Sequence, residues 1–321
     1  MELMDALLDI LSALSEPTRL RIVALCARAD LTVSELQQVL AQSQPRISRH
    51  LRILCDAGLL SRRREGTWTY YRLRYGGERA QIARDIITHL PGEDPVVRGD
   101  LARLSQVKET RREAADQYFR DNAEHWDRIR ALHADVGVIE RRLAELVPKR
   151  PGDHLLDIGT GTGRMLQIFA PHIGYGLGID LSHDMLTMAR VNLDDAHYAN
   201  CDVRHGDMYR LPVDDGSFDI VLLHMVLHYA QHPGEVMQEA ARALRPGGHA
   251  VLIDFAPHDN ETLRDEHAHC WLGFSDADIG GLFSEAGLSP TNRETIASGA
   301  LTVVIWSAQR EADIKTMPRR A

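Results

Sequence analysis

The stretch Asp157-Ile-Gly-Thr-Gly-Thr-Gly163, DIGTGTG in one-letter code, decides the fold of the larger part of this chain. It follows the apolar pair Leu155-Leu156 and has glycine at positions 159, 161 and 163. Glycines after a buried strand allow a tight turn and a close approach of the main chain to a ligand. A dinucleotide loop would need its third glycine at position 164, which is Arg. A nucleotide-type ligand and a purely structural turn both remain open at this point.

The second half of the chain alternates apolar runs with helical stretches. This pattern predicts a parallel, doubly wound sheet, which binds ligands at the carboxyl ends of its strands. Asp180 ends the second run and is placed to accept ribose hydroxyls, whereas Asp207 follows a third strand and is placed to accept an adenine amino group. The apolar runs are 155–159, 176–180, 219–223 and 249–255, and two of the helical stretches are 182–193 and 234–244.

With the segments LPVDDGSFDIVLLHMVLHY and ALRPGGHAVLIDF, these features resemble the class I S-adenosylmethionine-dependent methyltransferases over residues 115–309. The resemblance implies a Rossmann-like domain that binds S-adenosylmethionine or S-adenosylhomocysteine. The segments DQYFRDNAEHWDRIRALH and HDNETLRDEHAHCWLGFSDADI resemble parts of proteins in which a methyltransferase domain is fused to another domain. That resemblance implies a helical lid over 115–147 and an insertion over 257–275. The implied cofactor-binding residues are Asp157, Gly159, Gly161, Gly163, Asp180, Leu181, Asp207, Met208 and His224.

His224, at the end of the fourth apolar run, is the candidate catalytic base, since methyl transfer needs a base only when the acceptor arrives protonated. His228 and His232 follow at helical spacing, so chelation of a metal by the three histidines is an alternative that we do not favour. His267 and His269 are two apart and would diverge on a helix. Arsenite as the acceptor is not favoured, because this half of the chain has only Cys201 and Cys270. We predict no metal site.

The first ninety residues carry 13 arginines and 10 acidic residues, giving +3, whereas the remainder carries −12 of the total of −9. Eight arginines lie between positions 43 and 75 against Asp56 and Glu65. A basic patch confined to one end of an acidic protein indicates a polyanion site, although a solvated charged face is the simpler alternative.

Thr32 and Ser43 are predicted to cap two short helices, and the second has Pro45 in its first turn. Ile47, Leu51 and Leu54 share one face of that second helix, which leaves its arginines on the other. Two strands around a Glu65-Gly66 turn follow, completing a winged helix-turn-helix. The residues expected to contact DNA are Ser43, Gln44, Arg46, Ser48, Arg49, Arg52, Arg62, Arg63 and Arg64.

The segments LSEPTRLRIVALC, LTVSELQQVLAQSQPRISRHLRIL and DAGLLSRRREGTWTYYRL resemble the ArsR/SmtB family of bacterial repressors over residues 1–90. That resemblance implies a homodimer built on residues 1–14 and 78–90. The cysteine pair of arsenic sensors is absent, because Leu31-Thr32-Val33-Ser34-Glu35 occupies the corresponding place. Cys26 and Cys55 are expected to be packing residues, with thiol sensing as the alternative.

We therefore expect an α/β protein in two main domains: a winged helix-turn-helix that is mainly α with a β-hairpin wing, and a Rossmann-like doubly wound methyltransferase domain. The expected ranges are 1–92 for the first domain, 93–114 for a linker within a helical bridge, 115–309 for the second domain and 310–321 for a tail. No apolar run is long enough to span a membrane, and the acidic start does not resemble a secretory signal, so the cytoplasm is the expected location.

The leading hypothesis is a dimeric regulator that binds operator DNA and transfers a methyl group to an unidentified acceptor. Two alternatives stay open: a methyltransferase whose first domain serves dimerisation or localisation, and a catalytically silent sensor of S-adenosylhomocysteine. Arg46 and Arg49 are placed to contact either guanine or phosphate.

Overall fold

A computed structural model gives the architecture of the chain. It describes residues 2–65, 68–74, 77–121, 136–194, 196–267, 269–297 and 301–312. These residues divide into two compact units, Met1–Asp116 and Gln117–Ala321. Parts of the predicted hairpin turn, the lid, the insertion and the tail lie outside the described residues: 66–67, 122–135, 268 and 313–321.

The first unit is a winged helix-turn-helix. Thr32 caps the third helix reciprocally with Glu35, and Gly58 takes a left-handed φ of 71° after the fourth, so the predicted cap and stop are both present. The helices are α1 (Glu2–Leu14), α2 (Pro17–Cys26), α3 (Val33–Leu40), α4 (Gln44–Asp56), α5 (Glu78–Thr88) and α6 (Pro95–Asp121). The strands are β1 (Leu31–Thr32), β2 (Leu60–Glu65) and β3 (Trp68–Leu73), in the antiparallel order β1-β3-β2.

Helix α6 occupies the stretch expected to be a linker. Pro95 stands in its first turn, and the Asp94 carboxylate accepts the amides of the two residues after Pro95. Leu104 and Val107 are buried in the hydrophobic core of the first unit. The Pro and Gly residues before α6 are consistent with a boundary, but the apolar residues within the helix pack it onto the first unit.

Ion pairs and main-chain contacts also hold α6 to the first unit. Arg21 pairs with Asp100 at 2.5 Å, and Arg103 donates to the carbonyl of Val39 in α3. Arg111 reaches Glu35 at 2.7 Å and the carbonyl of Asp30 at 2.7 Å. Asp100 is buried in these contacts, so removing its arginine partner would leave a buried charge without a counter-charge, which is strongly destabilising.

The second unit has a seven-stranded sheet in the order β6-β5-β4-β7-β8-β10-β9, in which β10 runs antiparallel to both of its neighbours and the strands from β6 to β8 are parallel. Its strands are β4 (His154–Ile158), β5 (Tyr175–Asp180), β6 (Cys201–His205), β7 (Phe218–His224), β8 (Leu244–Phe255), β9 (Leu288–Ala297) and β10 (Thr302–Arg310). Its helices are α7 (Val136–Leu146), α8 (Arg164–Phe169), α9 (His183–Asn192), α10 (Pro233–Ala243), α11 (Thr262–His267) and α12 (Asp276–Glu285).

Helices cover both faces of this sheet. Leu156 and Ile158 point to the face covered by α10 and α12, whereas Leu155 points to the face covered by α7, α8 and α9. This alternation follows from the period of two along a strand, and burial on both faces explains the continuous apolar runs in the sequence. The predicted doubly wound sheet is confirmed. No described helix has both the length and the apolar content to cross a bilayer.

Candidate functional site

The glycine loop joins β4 to α8 and is bound to the end of β5. The amides of Gly159 and Thr160 both donate to the carbonyl of Ile179, at 2.8 and 3.0 Å. The amide of Gly161 donates to the Asp180 carboxylate at 2.8 Å. The loop therefore joins the carboxyl ends of the neighbouring strands β4 and β5.

Two of the three glycines show why the loop needs this residue. Gly159 has a φ of 70°, and a Cβ there would lie 2.3 Å from the Val226 side chain. Gly161 has a φ of 53°, and a Cβ there would meet no atom within 4 Å, so the main chain at Gly161 borders open space. A Cβ on Gly163 would lie 3.3 Å from the side chains of both Ala189 and Leu193, so the loop packs closely against them at this position. Gly161 thus suits a ligand cradle, whereas Gly159 and Gly163 allow the loop to pack closely against neighbouring side chains.

Asp157 is buried beneath the loop. One carboxylate oxygen accepts the Thr160 hydroxyl at 2.6 Å, and the other, Oδ1, is buried with no hydrogen-bond partner. The pKa of Asp157 is raised to about 7, chiefly by burial; the Thr160 hydrogen bond lowers it and the nearby Asp180 charge adds a smaller increase. An unpartnered buried carboxylate oxygen is costly unless a donor from a ligand completes it.

The remaining predicted cofactor residues lie along the same edge of the sheet. Asp180 ends β5, and its second oxygen accepts the Ser182 amide at 2.8 Å. Leu181 is 65% exposed immediately after it, which is unusual for a large apolar side chain at a strand end. Asp207 lies two residues after β6 and is exposed, with its carboxylate accepting the Tyr209 amide at 3.0 Å. Met208 packs partly into the core.

His224, the predicted base, is the last residue of β7 and is half-buried. The residues after it do not form the helix that would align His224, His228 and His232. His228 lies in a short 3₁₀ turn, Leu227–Tyr229, and His232 immediately precedes α10. Among the described residues, no group of three His, Cys, Asp or Glu side chains is arranged to hold a metal ion. The side chain of His267 lies outside the described residues.

Sequence reasoning missed the contact that the structure places beside this edge. His228 is buried and its Nδ1 lies 2.7 Å from Oδ1 of Asp254, near the end of β8. The signal was present in the segment HAVLIDF, where a single acidic residue interrupts an apolar strand. A second unforeseen contact is the stack of His183, the first residue of α9, on His205, the last residue of β6, with ring centroids 4.2 Å apart.

The arginines of α4 lie on its exposed face, as the helical spacing predicts. Ile47, His50, Leu51 and Leu54 are buried, whereas Ser48, Arg49 and Arg52 are exposed. Ser43 precedes the helix in an extended conformation but makes no side-chain cap. The exposed polar residues are Ser43, Gln44, Arg46, Ser48, Arg49 and Arg52.

The wing divides its three successive arginines between two faces. Arg62 and Arg64 are exposed, whereas the Arg63 side chain is only 9% exposed and pairs with the buried Asp30 at 2.9 Å. Asp30 also lies 3.6 Å from Arg72. The expectation that Arg63 contacts DNA is therefore corrected: strand alternation turns its side chain inward, where it balances a buried carboxylate.

Two family models match the chain. The model described as the bacterial regulatory protein, arsR family, matches residues 16–62, and the model described as a methyltransferase domain matches residues 156–252. These matches span α2 to β2 of the first unit and most of the parallel sheet of the second.

Individual relatives match part of the chain. A 27-O-demethylrifamycin SV methyltransferase of Amycolatopsis mediterranei is 32% identical over 57% of this chain and 72% of its own length. An arsenite methyltransferase of Halobacterium salinarum is 28% identical over 56% of this chain, and the chain spans about half, 48%, of that relative. The methyltransferase solved with the Haloferax volcanii Trm112 activator has a TM-score of 0.51 at 22% identity, covering 61% of this chain and 97% of that one, and shows the shared fold.

Methyltransferases of this fold use S-adenosylmethionine, and the residues present fit that cofactor. Its ammonium group suits the unpartnered Oδ1 of Asp157, and its hydroxyl-bearing ribose suits Asp180, whose oxygens each retain a lone pair after one amide bond. The open side of Gly161 gives the space that a close main-chain approach requires. A cofactor without phosphates needs carboxylates here rather than anion-binding amides.

Proposed function

Since this chain belongs to the methyltransferase family and carries a regulatory domain of the arsR family, we propose that it is a DNA-binding regulator whose second unit transfers a methyl group from S-adenosylmethionine. One observation carries the proposal: a single chain has both an exposed arginine face on α4 and a carboxylate-lined glycine cradle at the edge of its large sheet. A protein with only one of these roles would not require both features.

In this proposal the residues of the second unit bind and orient the cofactor. Asp157 holds the ammonium group, Asp180 the ribose, and Leu181, Asp207 and Met208 border the adenine. The bound cofactor supplies an electrophilic methyl group on a sulfonium. The protein contributes mainly position, and alignment of the reacting groups lowers a barrier of this kind by about 7–11 kcal/mol.

In the first unit, the exposed face of α4 enters the major groove of the operator, and Arg62 and Arg64 of the wing contact the neighbouring backbone. Phosphate contacts by arginine make affinity depend steeply on salt. We propose that a homodimer presents two such units. Four large apolar side chains of α1 are 36–62% exposed and suit a subunit interface: Met4, Leu7, Leu8 and Leu11.

The acceptor is proposed to be something other than arsenite. Cys201 is buried, with its Sγ 3.8 Å from the carbonyl of Leu166, and Cys270 is the exposed thiol of this unit. Arsenic(III) is bound by several thiolates, and one exposed cysteine does not provide them.

The test measures affinity for the protein's own upstream DNA without cofactor, with S-adenosylmethionine and with S-adenosylhomocysteine. A coupling of about 1–3 kcal/mol gives a 5–150-fold difference between these states. Equal DNA affinities in all three states would mean that DNA binding by the first unit is independent of cofactor binding by the second. Weak DNA binding that does not change with salt would favour an enzyme whose first unit only dimerises, and tight cofactor binding without turnover would favour a silent sensor.

A further inference from the structure

His228 and Asp254 form a fully oriented pair. The two side chains are 3% and 0% exposed. Asp254 accepts the main-chain amides of His228 and Phe255, at 3.2 and 2.8 Å, in addition to Nδ1 of His228 at 2.7 Å. Because the carboxylate only accepts, Nδ1 carries the imidazole proton and Nε2 is the basic nitrogen. None of the residues that the structure describes forms a hydrogen bond with Nε2.

This pair lies next to the glycine loop. Val226, two residues before His228, fills the space beside Gly159, since a Cβ on Gly159 would lie 2.3 Å from it. Met225 has a left-handed φ of 54°, which is strained for a residue with a long side chain. The main chain is therefore bent at the end of β7 so that the segment 225–230 borders both the cradle and Asp254. Strain of this kind is concentrated at functional sites.

The insertion after β8 closes one side of the pair. The amides of Cys270 and Trp271 donate to the carbonyl of His228, at 2.9 and 3.1 Å, and Trp271 Nε1 donates to the carbonyl of Ala230 at 2.7 Å. His269 stacks on His228 with ring centroids 4.0 Å apart. These bonds fix the insertion to the turn that carries His228.

Two flat side chains stay exposed around this turn. Tyr229 is 39% exposed and its ring centroid lies 4.2 Å from that of His228, while Trp271 is 40% exposed. Exposed aromatic rings held by main-chain contacts make rigid stacking surfaces. His228 thus lies against the rings of His269 and Tyr229, and Cys270 is an exposed thiol nearby. Among the described residues, no arrangement of side chains is suited to a metal.

We propose that His228, oriented by Asp254, takes the proton of the methyl acceptor, and that the acceptor is a flat hydroxy-aromatic molecule lying against Tyr229 and Trp271. This inference rests on the proposed methyl transfer. In the step, the acceptor oxygen forms a bond to the methyl carbon, the carbon–sulfur bond breaks with its electrons staying on sulfur, and the hydroxyl proton passes to Nε2 and later to water. Asp254 stabilises the resulting imidazolium.

The first test follows the proton without turnover. The probe is 7-hydroxy-4-methylcoumarin, whose neutral and ionised forms absorb at different wavelengths, bound to the full chain loaded with S-adenosylhomocysteine. We expect the apparent pKa of the bound phenol to be about one unit lower in the wild type than in His228→Asn, which keeps an N–H donor toward Asp254 and removes Nε2. Tyr229→Ala and Trp271→Ala should each weaken probe binding about 5–20-fold.

The second test uses two acceptors of the same shape. The phenol is compared with 7-mercapto-4-methylcoumarin, which ionises readily and needs no base. We expect His228→Asn to lower kcat for the phenol by 10²–10⁴-fold, with little change in KM, and to change kcat for the thiol less than fivefold. Asp254→Asn should act in the same direction, and His232→Gln, at an exposed histidine, should leave both acceptors unaffected.

The outcomes separate this inference from the proposed function. Calorimetric titration with S-adenosylhomocysteine shows whether each variant is folded, since an unchanged Kd requires an intact cradle. Absence of cofactor binding in the wild type would overturn the proposed function itself. Cofactor binding without probe binding, an identical probe spectrum in the wild type and His228→Asn, or equal losses for the phenol and the thiol would overturn the role of His228.

Discussion

If Asp157 holds the cofactor as proposed, we expect cofactor binding to depend on pH. Its pKa of about 7 means that the carboxyl group is largely neutral below pH 6, whereas an ammonium ligand selects the anion. We expect the Kd for S-adenosylhomocysteine to fall about tenfold from pH 5.5 to 6.5 and to level off above pH 7.5. Calorimetry in buffers of different ionisation enthalpy should detect proton release near neutral pH. Asp157→Asn should bind more weakly and lose this part of the pH dependence; an unchanged profile would contradict the assignment.

The same pKa has a consequence for stability. The pKa of Asp157 is about 7 in the folded protein, above the ordinary value of 3.8. The stability that comes from this raised pKa is fully present below pH 3.8, where the group is neutral in both states, and is lost as the pH rises through about 7. Without cofactor, Asp157→Asn should therefore unfold at an equal or higher temperature than the wild type at pH 8. Thermal unfolding at pH 5 and pH 8 measures the difference. The Tm of Asp157→Asn minus that of the wild type should be larger at pH 8 than at pH 5. A smaller difference at pH 8 would show that the carboxylate is well solvated.

Gly159 and Gly161 offer a matched pair of substitutions. Gly161→Ala meets only the cost of a left-handed residue, about 1–2 kcal/mol, because no atom lies within 4 Å of the new Cβ. Gly159→Ala adds a clash with Val226 at 2.3 Å, so we expect a further loss of about 1–3 kcal/mol and a larger fall in Tm. Thermal unfolding without cofactor checks this order. The reverse order would mean that Val226 moves aside easily.

At the scale of elements, the wing predicts two different effects from neighbouring arginines. Arg63→Ala leaves the Asp30 carboxylate buried with a lost partner, and it should destabilise the first unit by about 3–5 kcal/mol. Arg49→Ala, on the exposed face of α4, should leave Tm unchanged, weaken DNA binding and reduce the slope of log K against log salt by about one. Urea unfolding and binding at several salt concentrations separate the two, and a DNA-specific loss for Arg63→Ala would contradict the inward placement.

The elements that the sequence predicts well are those with a local cause. Thr32 with Glu35, Pro45 after Ser43, and Gly58 after α4 are capping and stop signals read within a few residues, and the structure has all of these boundaries within a residue or two. The alternation of Leu155 and Leu156 between faces follows in the same way. Asp254 and His228 are 26 residues apart and are brought together by the pairing of β7 with β8. That pairing is long-range, so local sequence signals do not predict the contact. Arg63 is a third case. Strand alternation predicts that its side chain points away from those of Arg62 and Arg64, but the sequence does not show that Asp30 is buried beneath it.

For the whole molecule, α6 changes where the first unit ends. Leu104 and Val107 are buried, and the side chain of Asp100 is 5% exposed against Arg21. A fragment of residues 1–116 should therefore be more stable than residues 1–92 by about 3–6 kcal/mol, from two buried aliphatic side chains alone. Denaturant unfolding of the two fragments measures this, with Leu104→Ala in the longer fragment as an intermediate case. Equal stability would show that α6 contributes nothing to the first unit.

The placement of the four cysteines also offers a practical handle. Cys26 and Cys201 are buried, Cys55 is half-buried, and Cys270 is the exposed one. A maleimide dye should thus react first at Cys270 and attach a fluorophore to the same turn that holds Trp271. The emission of the dye would then report the binding of a small molecule beside Trp271 in single protein molecules. No other residue would have to be changed.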